Sequence, residues 1–127
     1  MHPHTPRFAL IARPEHHKLA ATLDAHIDVI GDCWVYRGAT NHNGYAIMSV
    51  GGKRVARAHR VAYRLAHGPI PAGLHVDHVW LKGCRHRACV RPEHLEAVTQ
   101  RVNNRRSAEK RRILQLVQQP TPLRAAA

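Results

Sequence analysis

The chain has 127 residues, a length that predicts one domain with short tails. Its 20 lysine and arginine residues outnumber the 8 aspartate and glutamate residues, which gives a formal net charge of +12. This balance favours a polyanionic partner, and nucleic acid before a membrane, because no apolar stretch approaches the roughly 18 residues of a membrane span.

The N-terminal part predicts a loose arm followed by a short helix. Residues 1–12 show no clear period, whereas the segment after Pro14 contains helix formers and apolar residues at Leu19, Leu23 and Ile27. We therefore assign residues 1–30 to the arm and this helix.

From Gly31 onward the pattern changes to short segments of β-forming residues. The segments CWVYRG, GYAIMSV and KRVARAH are separated by ATNHNG and a Gly-Gly pair, which are strong turn signals. We predict a three-stranded antiparallel meander here. The next segment, HRVAYRLAHG, predicts a short helix that ends at Gly68.

The second half of the chain predicts the order strand, loop, strand, helix. LHVDHVW is extended after two prolines, a loop with two cysteines follows, and HLEAV alternates as a strand does. Thr99 can cap a helix through QRVNNRRSAEKRRILQLVQ. The prediction is an α+β domain over residues 31–118, with a small antiparallel sheet before this motif, and a tail over residues 119–127.

The cysteine count argues for metal ligation rather than for disulfides. Three cysteines cannot all pair with one another. The N-terminal segment has no continuous apolar run of the kind that forms a secretory signal, so we expect a cytoplasmic protein.

Three side chains of the predicted loop have the spacing of zinc ligands, namely Cys84, Cys89 and His94. A tetrahedral structural zinc site needs four ligands. Cys33 is the natural fourth because it is the only other cysteine, and His75 or His86 could replace it. The alternative is that the cysteines are small buried apolar residues without a metal.

A second group of residues suits phosphodiester hydrolysis. His78 has the residue type of a general base near neutral pH, and Asp77 and Asn103 offer the oxygen ligands that Mg²⁺ prefers. His78 lies at a predicted strand end and Asn103 on the first turn of the following helix, so the three side chains could converge on one phosphate. An Asp-His pair on a strand also occurs as a purely structural feature.

The chain resembles the HNH nuclease family, in particular its zinc-containing phage members and the His-Cys box homing endonucleases. The matching features are Cys33-Trp34, Gly44-Tyr45, Ala58-His59-Arg60, the run from Gly68 to Gly73, Val76-Asp77-His78, Cys89-Val90, Pro92, His94-Leu95 and Asn103. The resemblance covers residues 31–106 and implies the ββα-metal fold. Relative to the family, about four residues are inserted between His78 and Cys84, and Arg91 stands where asparagine is usual.

The resemblance also implies roles for the residues. His78 would be the general base, Asn103 a ligand of the catalytic divalent cation, and Asp77 a second ligand of that cation. The four residues that would hold a structural Zn²⁺ are Cys33, Cys84, Cys89 and His94. Arg57 would stabilise the pentacovalent phosphate or the leaving group, by analogy with an arginine on the sheet of the homing relatives.

Basic residues around these positions predict contacts to nucleic-acid phosphates. Alternation along the third predicted strand puts Lys53 and Arg57 on one face. The other candidates are Arg60, Arg85, Arg87, Arg91, Arg105 and Arg106. The apolar residues near the end of the last helix could pack on the core or form a homodimer interface.

The function predicted from these features is a metal-dependent HNH endonuclease that hydrolyses DNA in a bacterial or phage-infected cell. Its cofactors would be a structural Zn²⁺ and a catalytic Mg²⁺ or other divalent cation, and DNA would be its partner. The main alternative is a non-catalytic zinc-containing DNA-binding module. A ribonuclease or a basic ribosome-associated protein is a second alternative.

Overall fold

Three two-stranded antiparallel sheets and three α-helices make up the mixed α+β fold in the computed structural model, which describes residues 5–118. The strands are β1 Ile27–Ile30, β2 Cys33–Tyr36, β3 Ile47–Gly51, β4 Arg54–Arg57, β5 His75–His78 and β6 Leu95–Val98. The helices are α1 His17–Ala25, α2 Ala58–His67 and α3 Gln100–Gln118. No helix within this part of the chain is long and apolar enough to cross a membrane.

The N-terminal segment is anchored from Phe8 onward, so the expectation of a loose arm over residues 1–12 is wrong there. Phe8 is fully buried and packs edge-on against Trp34, with ring centroids 6.0 Å apart. The backbone N–H groups of Phe8 and Ala9 donate to the two carboxylate oxygens of the buried Asp24, at 2.8 and 3.0 Å. One aromatic side chain and one paired carboxylate therefore fix this segment on α1.

The first helix is shorter than the sequence pattern predicts, because residues 27–30 form a strand instead. Strand β1 pairs with β2, in register from Ile27 opposite Tyr36 to Ile30 opposite Cys33. Gly31 makes the tight turn between them with a φ of 58°, a backbone conformation that favours glycine. The β-branched residues of IDVI fit this hairpin better than a helix end.

The prediction of a three-stranded meander is wrong. Strand β2 pairs with β1, and β3 pairs with β4. The second edge of β2 is occupied by the cysteine loop, since Tyr36 N–H donates to the carbonyl of Ala88 at 2.8 Å and Val90 N–H donates to that of Trp34 at 2.7 Å. These bonds leave no edge of β2 for β3 and place Cys33 beside the cysteine loop.

The main core lies where α2 packs on α1 and on the β5–β6 hairpin. Its buried members include Leu23, Val61, Leu65, Val76 and Leu95. The burial of these side chains fixes the hairpin under α2. The C-terminal half of the fold therefore has a defined position relative to the N-terminal half.

The end of the chain has the predicted strand–loop–strand–helix order. Strands β5 and β6 pair in register from His75 opposite Val98 to His78 opposite Leu95. The hydroxyl of Thr99 accepts the N–H of Val102 at 3.2 Å, which caps α3 as predicted. Helix α3 runs to Gln118, and the predicted tail over residues 119–127 lies outside the described residues.

Candidate metal centre and active site

Four buried side chains from distant parts of the chain meet in one cluster. Cys33 comes from β2, Cys84 and Cys89 come from the loop between β5 and β6, and His94 comes from the turn before β6. Their potential ligand atoms all lie within 4.8 Å of one another. His94 Nδ1 is 3.6 Å from the Cys89 sulfur and 3.8 Å from the Cys33 sulfur. The structure thus brings together the four residues that the sequence singles out.

The geometry and chemistry of this cluster, called the Cys3His cluster below, fit a metal such as zinc. A tetrahedron with zinc–sulfur bonds of about 2.3 Å and zinc–nitrogen bonds of about 2.0 Å has edges of roughly 3.5–3.8 Å. The two sulfur–nitrogen distances fall in this range. The backbone N–H of Arg85 also donates to the Cys33 sulfur at 3.3 Å, a bond that stabilises a thiolate.

The thiols of the cluster differ in acidity. A hydrogen bond from the Cys84 thiol, together with bonds from the backbone of Arg91 and from His94, lowers the pKa of Cys89 to about 4. The same hydrogen bond and burial raise the pKa of Cys84, and burial raises that of Cys33. Metal binding at this cluster would therefore release protons as the remaining thiols ionise.

His78 is held by the backbone of the same loop. Its Nε2 lies 2.9 Å from the carbonyl oxygen of Cys89. A carbonyl can only accept, so Nε2 carries the hydrogen and Nδ1 is the unprotonated nitrogen of the neutral ring. Burial lowers the pKa of His78, while the bond to Cys89 opposes that shift. The neutral ring with a fixed tautomer is the form that a general base requires.

An open cavity of about 440 Å³ lies in front of His78. Asp77, His78 and Asn103 all line it, so the structure places the three proposed catalytic side chains around one space. Arg57, at the end of β4, lines the same cavity. The remaining basic side chains on its wall are Arg85, Arg87, Arg106 and Lys110. Asp77 is the one carboxylate among the described residues that line it.

Asp77 is already paired in this structure. Its Oδ2 accepts a hydrogen bond from Arg106 at 3.1 Å, and the second Arg106 nitrogen donates to Glu96 at 2.7 Å. Lys82 forms a further ion pair with Glu96. The bonds to Lys82 and Arg106 lower the pKa of Glu96. Arg106 therefore joins α3 to both strands of the hairpin.

Tyr45 lines the same cavity beside His78, and the Gly44-Tyr45 match in the sequence gave this residue no role. Its ring stacks on His78 with centroids 5.9 Å apart and an interplanar angle of 26°. The guanidinium groups of Arg57 and Arg87 lie 5.5 and 5.6 Å from the same ring. Arg87 also donates to the carbonyl of Asn43 at 2.7 Å. Tyr45 therefore holds two cations beside His78.

The other predicted phosphate contacts lie away from this cavity. Lys53 is exposed in the turn between β3 and β4, and Arg60 and Arg105 lie on α2 and α3. Arg91 donates to the carbonyl of Asp32 at 2.9 Å and pairs with Glu93 at 3.2 Å, on the side of the Cys3His cluster. The basic residues thus fall into a cavity group and an outer group.

The insertion between His78 and the cysteine loop forms a single 3-10 turn, Trp80–Lys82. Gly83 ends the turn with a φ of 98°, which a residue with a side chain rarely adopts. The Arg85 guanidinium covers the Trp80 ring at 4.0 Å. The extra residues lie within this turn. The β5–β6 pairing and the Cys3His cluster both form beside it.

Comparison with known proteins finds a family match to the central segment of the chain. Residues 56–105 match the family described as HNH endonuclease. Two curated phage proteins are similar to parts of the chain. "Protein 7.7" of Escherichia phage T7 is 34% identical over 73 residues, which are 58% of this chain and 52% of that protein. The "Uncharacterized gene 5.3 protein" of Enterobacteria phage T3 is 33% identical over 66 residues, which are 48% of this chain and 61% of that protein.

The chain therefore spans about half to three-fifths of the length of these curated relatives. No solved structure matches the chain. The family match confirms the resemblance that the sequence motifs indicated, and it includes β5, the cysteine loop, β6 and the start of α3.

Proposed function

We propose that the chain is a metal-dependent DNA endonuclease, because its residues 56–105 are a segment of the HNH endonuclease family. The single observation that carries this proposal is the placement of His78. Its Nε2 is bound to the Cys89 carbonyl, and its ring lines a basic cavity together with Asp77 and Asn103. A module that only binds DNA has no use for an oriented neutral imidazole beside two oxygen ligands.

In the proposed reaction, Nδ1 of His78 takes a proton from a water molecule in the cavity. The water oxygen attacks the phosphorus atom while the bond from phosphorus to the 3′-oxygen breaks. The hydrogen bond from Nε2 to the Cys89 carbonyl stabilises the imidazolium that forms, because the carbonyl dipole faces the new positive charge.

Asp77 and Asn103 have the chemistry of ligands for Mg²⁺ or a similar divalent cation. Both line the cavity, and their oxygen atoms suit a hard cation that keeps several of its waters. Such a cation would neutralise charge on the scissile phosphate and on the leaving oxygen. Asp77 would then share its carboxylate between the cation and Arg106, its partner in this structure.

The basic residues are proposed to bind the DNA backbone in two zones. Arg57 and Arg87, on either side of Tyr45, would contact the scissile phosphate or its neighbour, with Arg57 stabilising the developing charge. Arg85 would contact the adjoining phosphate. The outer group would contribute contacts that do not depend on base sequence, and its members are Lys53, Arg60, Arg91 and Arg105.

The Cys3His cluster is proposed to hold a structural Zn²⁺ that takes no part in the reaction. All four of its ligands are protein side chains, and all are buried, which leaves no open position for a substrate. Its contribution would be to fix the loop whose Cys89 carbonyl orients His78. The proposed setting is the cytoplasm of a bacterial or phage-infected cell, in agreement with the phage relatives.

A plasmid-nicking assay tests the proposal. Supercoiled DNA is incubated with the protein with and without added Mg²⁺, and relaxed and linear products are separated on a gel. We expect nicking by the wild type that requires the cation, and no nicking by His78→Ala. His17→Ala, which changes an exposed histidine on α1, is the matched control and should cut like the wild type.

Two results would overturn the proposal. DNA binding without nicking in any divalent cation would leave the DNA-binding module as the function. Cleavage of RNA but not of DNA in parallel digests would identify a ribonuclease. Far-UV circular dichroism and zinc content of each variant show whether His78→Ala has lost only its chemistry.

A further inference from the structure

The 3-10 turn Trp80–Lys82 begins two residues after the proposed base and takes no part in the proposed reaction. Its aromatic residue, Trp80, lies on the wall of the cavity in front of His78. The guanidinium carbon of Arg85 lies 4.0 Å from the centroid of the Trp80 ring, and the amino nitrogen of Lys110 lies 5.9 Å from it. Both distances are within the range of cation–π attraction. One ring thus joins the cysteine loop to α3 through two cations.

The guanidinium of Arg85 is held in place by the protein itself. Its Nη1 donates to the backbone carbonyls of Trp80 at 2.6 Å and of Cys84 at 3.1 Å. Its Nε and Nη2 make no hydrogen bond within residues 5–118, so they remain available to an anion. An arginine that is already fixed loses little rotamer entropy when its remaining N–H groups bind such a ligand.

Arg85 and Lys110 have no carboxylate partner in the described part of the chain. Asp77 is the one carboxylate among the described residues that line the cavity, and it already pairs with Arg106. Both cations are exposed, and both lie beside the same ring. Like charges that lie near one another repel, and an anion bound between them removes this repulsion.

We propose that Trp80, Arg85 and Lys110 form a binding site for a phosphodiester group of DNA, called the Trp80 site below. The inference rests on the proposed function, because that function makes DNA the polyanion that reaches the cavity. Arg85 and Lys110 bind the phosphate oxygens. Trp80 is a positioning residue, since its ring holds the two cations before the DNA arrives. The turn between β5 and the cysteine loop thereby becomes part of the DNA-binding surface.

A second aromatic ring of the cavity has the same arrangement. The guanidinium groups of Arg57 and Arg87 lie 5.5 and 5.6 Å from the Tyr45 ring, which stacks on His78. The cavity wall therefore presents two pairs of cations, each beside its own ring. The pair at Tyr45 is beside the proposed base, so the Trp80 site takes a different phosphate, farther along the DNA.

Lys110→Ala and Arg111→Ala form a matched pair that separates a site from general charge. Each removes one exposed cation from α3, but Lys110 lines the cavity and Arg111 is outside its lining. Binding of a labelled duplex is measured by fluorescence anisotropy at several salt concentrations, without added divalent cation so that the DNA stays intact. We expect Lys110→Ala to weaken binding about tenfold and to lower the slope of log affinity against log salt by about 1. Arg111→Ala should weaken binding less than about threefold.

Substitutions of Trp80 separate positioning from charge. Trp80→Leu keeps every charge but loses the aromatic face, whereas Trp80→Phe retains a face. We expect Trp80→Leu to weaken binding about fivefold at an unchanged salt slope, and Trp80→Phe to stay within about twofold of the wild type. Lys110→Ala should cost less affinity in the Trp80→Leu background than in the wild type, because the two side chains act together. Thermal unfolding and zinc content of each variant show whether it is folded.

Equal losses of affinity in Lys110→Ala and Arg111→Ala would overturn the Trp80 site, because general charge would then explain both. Wild-type affinity in a folded Trp80→Leu protein would overturn it as well. These measurements need no cleavage. A protein that nicks DNA but gives either of these results refutes only the Trp80 site, whereas one that gives the expected losses but nicks with no cation refutes only the proposed function.

Discussion

Replacing Cys33 with serine should remove the long-range connection that a metal would make through the Cys3His cluster. Cys33 lies 61 positions before His94 in the sequence, yet their ligand atoms are 3.8 Å apart. Serine keeps an acceptor for the backbone N–H of Arg85, which donates to the Cys33 sulfur. The substitution therefore tests metal ligation and leaves this bond available.

The expected loss follows from the length of the loop that the metal closes. Cross-linking two residues roughly 50 positions apart lowers the free energy of the folded state relative to the unfolded chain by about 4 kcal/mol in the chain-entropy estimate. A domain of this size has a total stability of roughly 6–15 kcal/mol. We therefore expect Cys33→Ser to lower the unfolding temperature by about 15 °C or more.

Zinc content by elemental analysis and thermal unfolding by circular dichroism are the two measurements. The wild type should carry about one zinc per chain, and Cys33→Ser should lose it during dialysis against a weak chelator. His86→Ala is the matched control, because this histidine lies on the same loop and its side chain is outside the cluster. A Cys33→Ser protein that retains zinc and the wild-type unfolding temperature would refute the four-ligand site.

Four further outcomes are expected. Asn103→Ala should need at least tenfold more Mg²⁺ for half-maximal nicking, and an unchanged metal titration would remove it from the cation site. Arg106→Ala should lower the free energy of unfolding in urea by about 1 kcal/mol, because Asp77 and Glu96 lose their shared partner. An unchanged free energy would mean that water replaces both ion pairs of Arg106 at no cost. Arg87→Ala should weaken DNA binding and lower the slope of log affinity against log salt by about 1, and an unchanged slope would place it off the phosphates. Burial lowers the pKa of His59 in the folded chain to about 3, against a usual value of 6.5. Between these pH values the unfolded chain binds a proton that the folded chain excludes. The free energy of unfolding should therefore fall as the pH drops from 6.5 toward 3, by up to about 5 kcal/mol from this group. His59→Gln should show a shallower pH dependence in urea titrations at fixed zinc, and equal slopes would contradict the burial argument.

The parts of the fold that local sequence signals specify were predictable. The hydroxyl of Thr99 does accept the N–H of Val102, and α3 covers the segment that the capping signal marked. Strands β5 and β6 follow the alternation of LHVDHVW and HLEAV. Each of these features depends on residues within a few positions of one another, so a sequence pattern contains most of the necessary information.

The parts that depend on contacts between distant segments were not predictable. Strand β2 has the composition of a strand, but its pairing is decided by the cysteine loop, which takes one edge through Ala88 and Val90. No local pattern near Cys33 contains that information. Phe8 is likewise anchored by Asp24, 16 positions away, in a segment whose composition resembles an arm.

The same distinction between local signals and long-range contacts applies to the residues of the candidate site. Its ligand types and spacing pointed to Cys33, His78 and Asn103, because metal and acid–base chemistry limits the residue types that can serve. Tyr45 was among the matching features but received no role, because the role of an aromatic ring depends on what it stacks on, and the fold decides that. The pairing of Asp77 with Arg106 joins a strand to a helix 29 positions away and could not be read from either segment.

The arrangement of the sheets has a consequence for the order in which the molecule folds. The β1–β2 and β3–β4 sheets are hairpins whose strands are separated by two residues, so their pairing is local and forms without a long search, whereas β5 and β6 are separated by the cysteine loop. Docking of the β1–β2 hairpin on the cysteine loop is the long-range step, and the bonds of Tyr36 and Val90 complete it. The orientation of His78, the proposed base, depends on the same loop, so His78 reaches its final position only after this step. A newly made chain should therefore acquire most of its secondary structure before the proposed catalytic site forms. If the Cys3His cluster binds zinc, the rate of the last refolding phase should rise with zinc concentration.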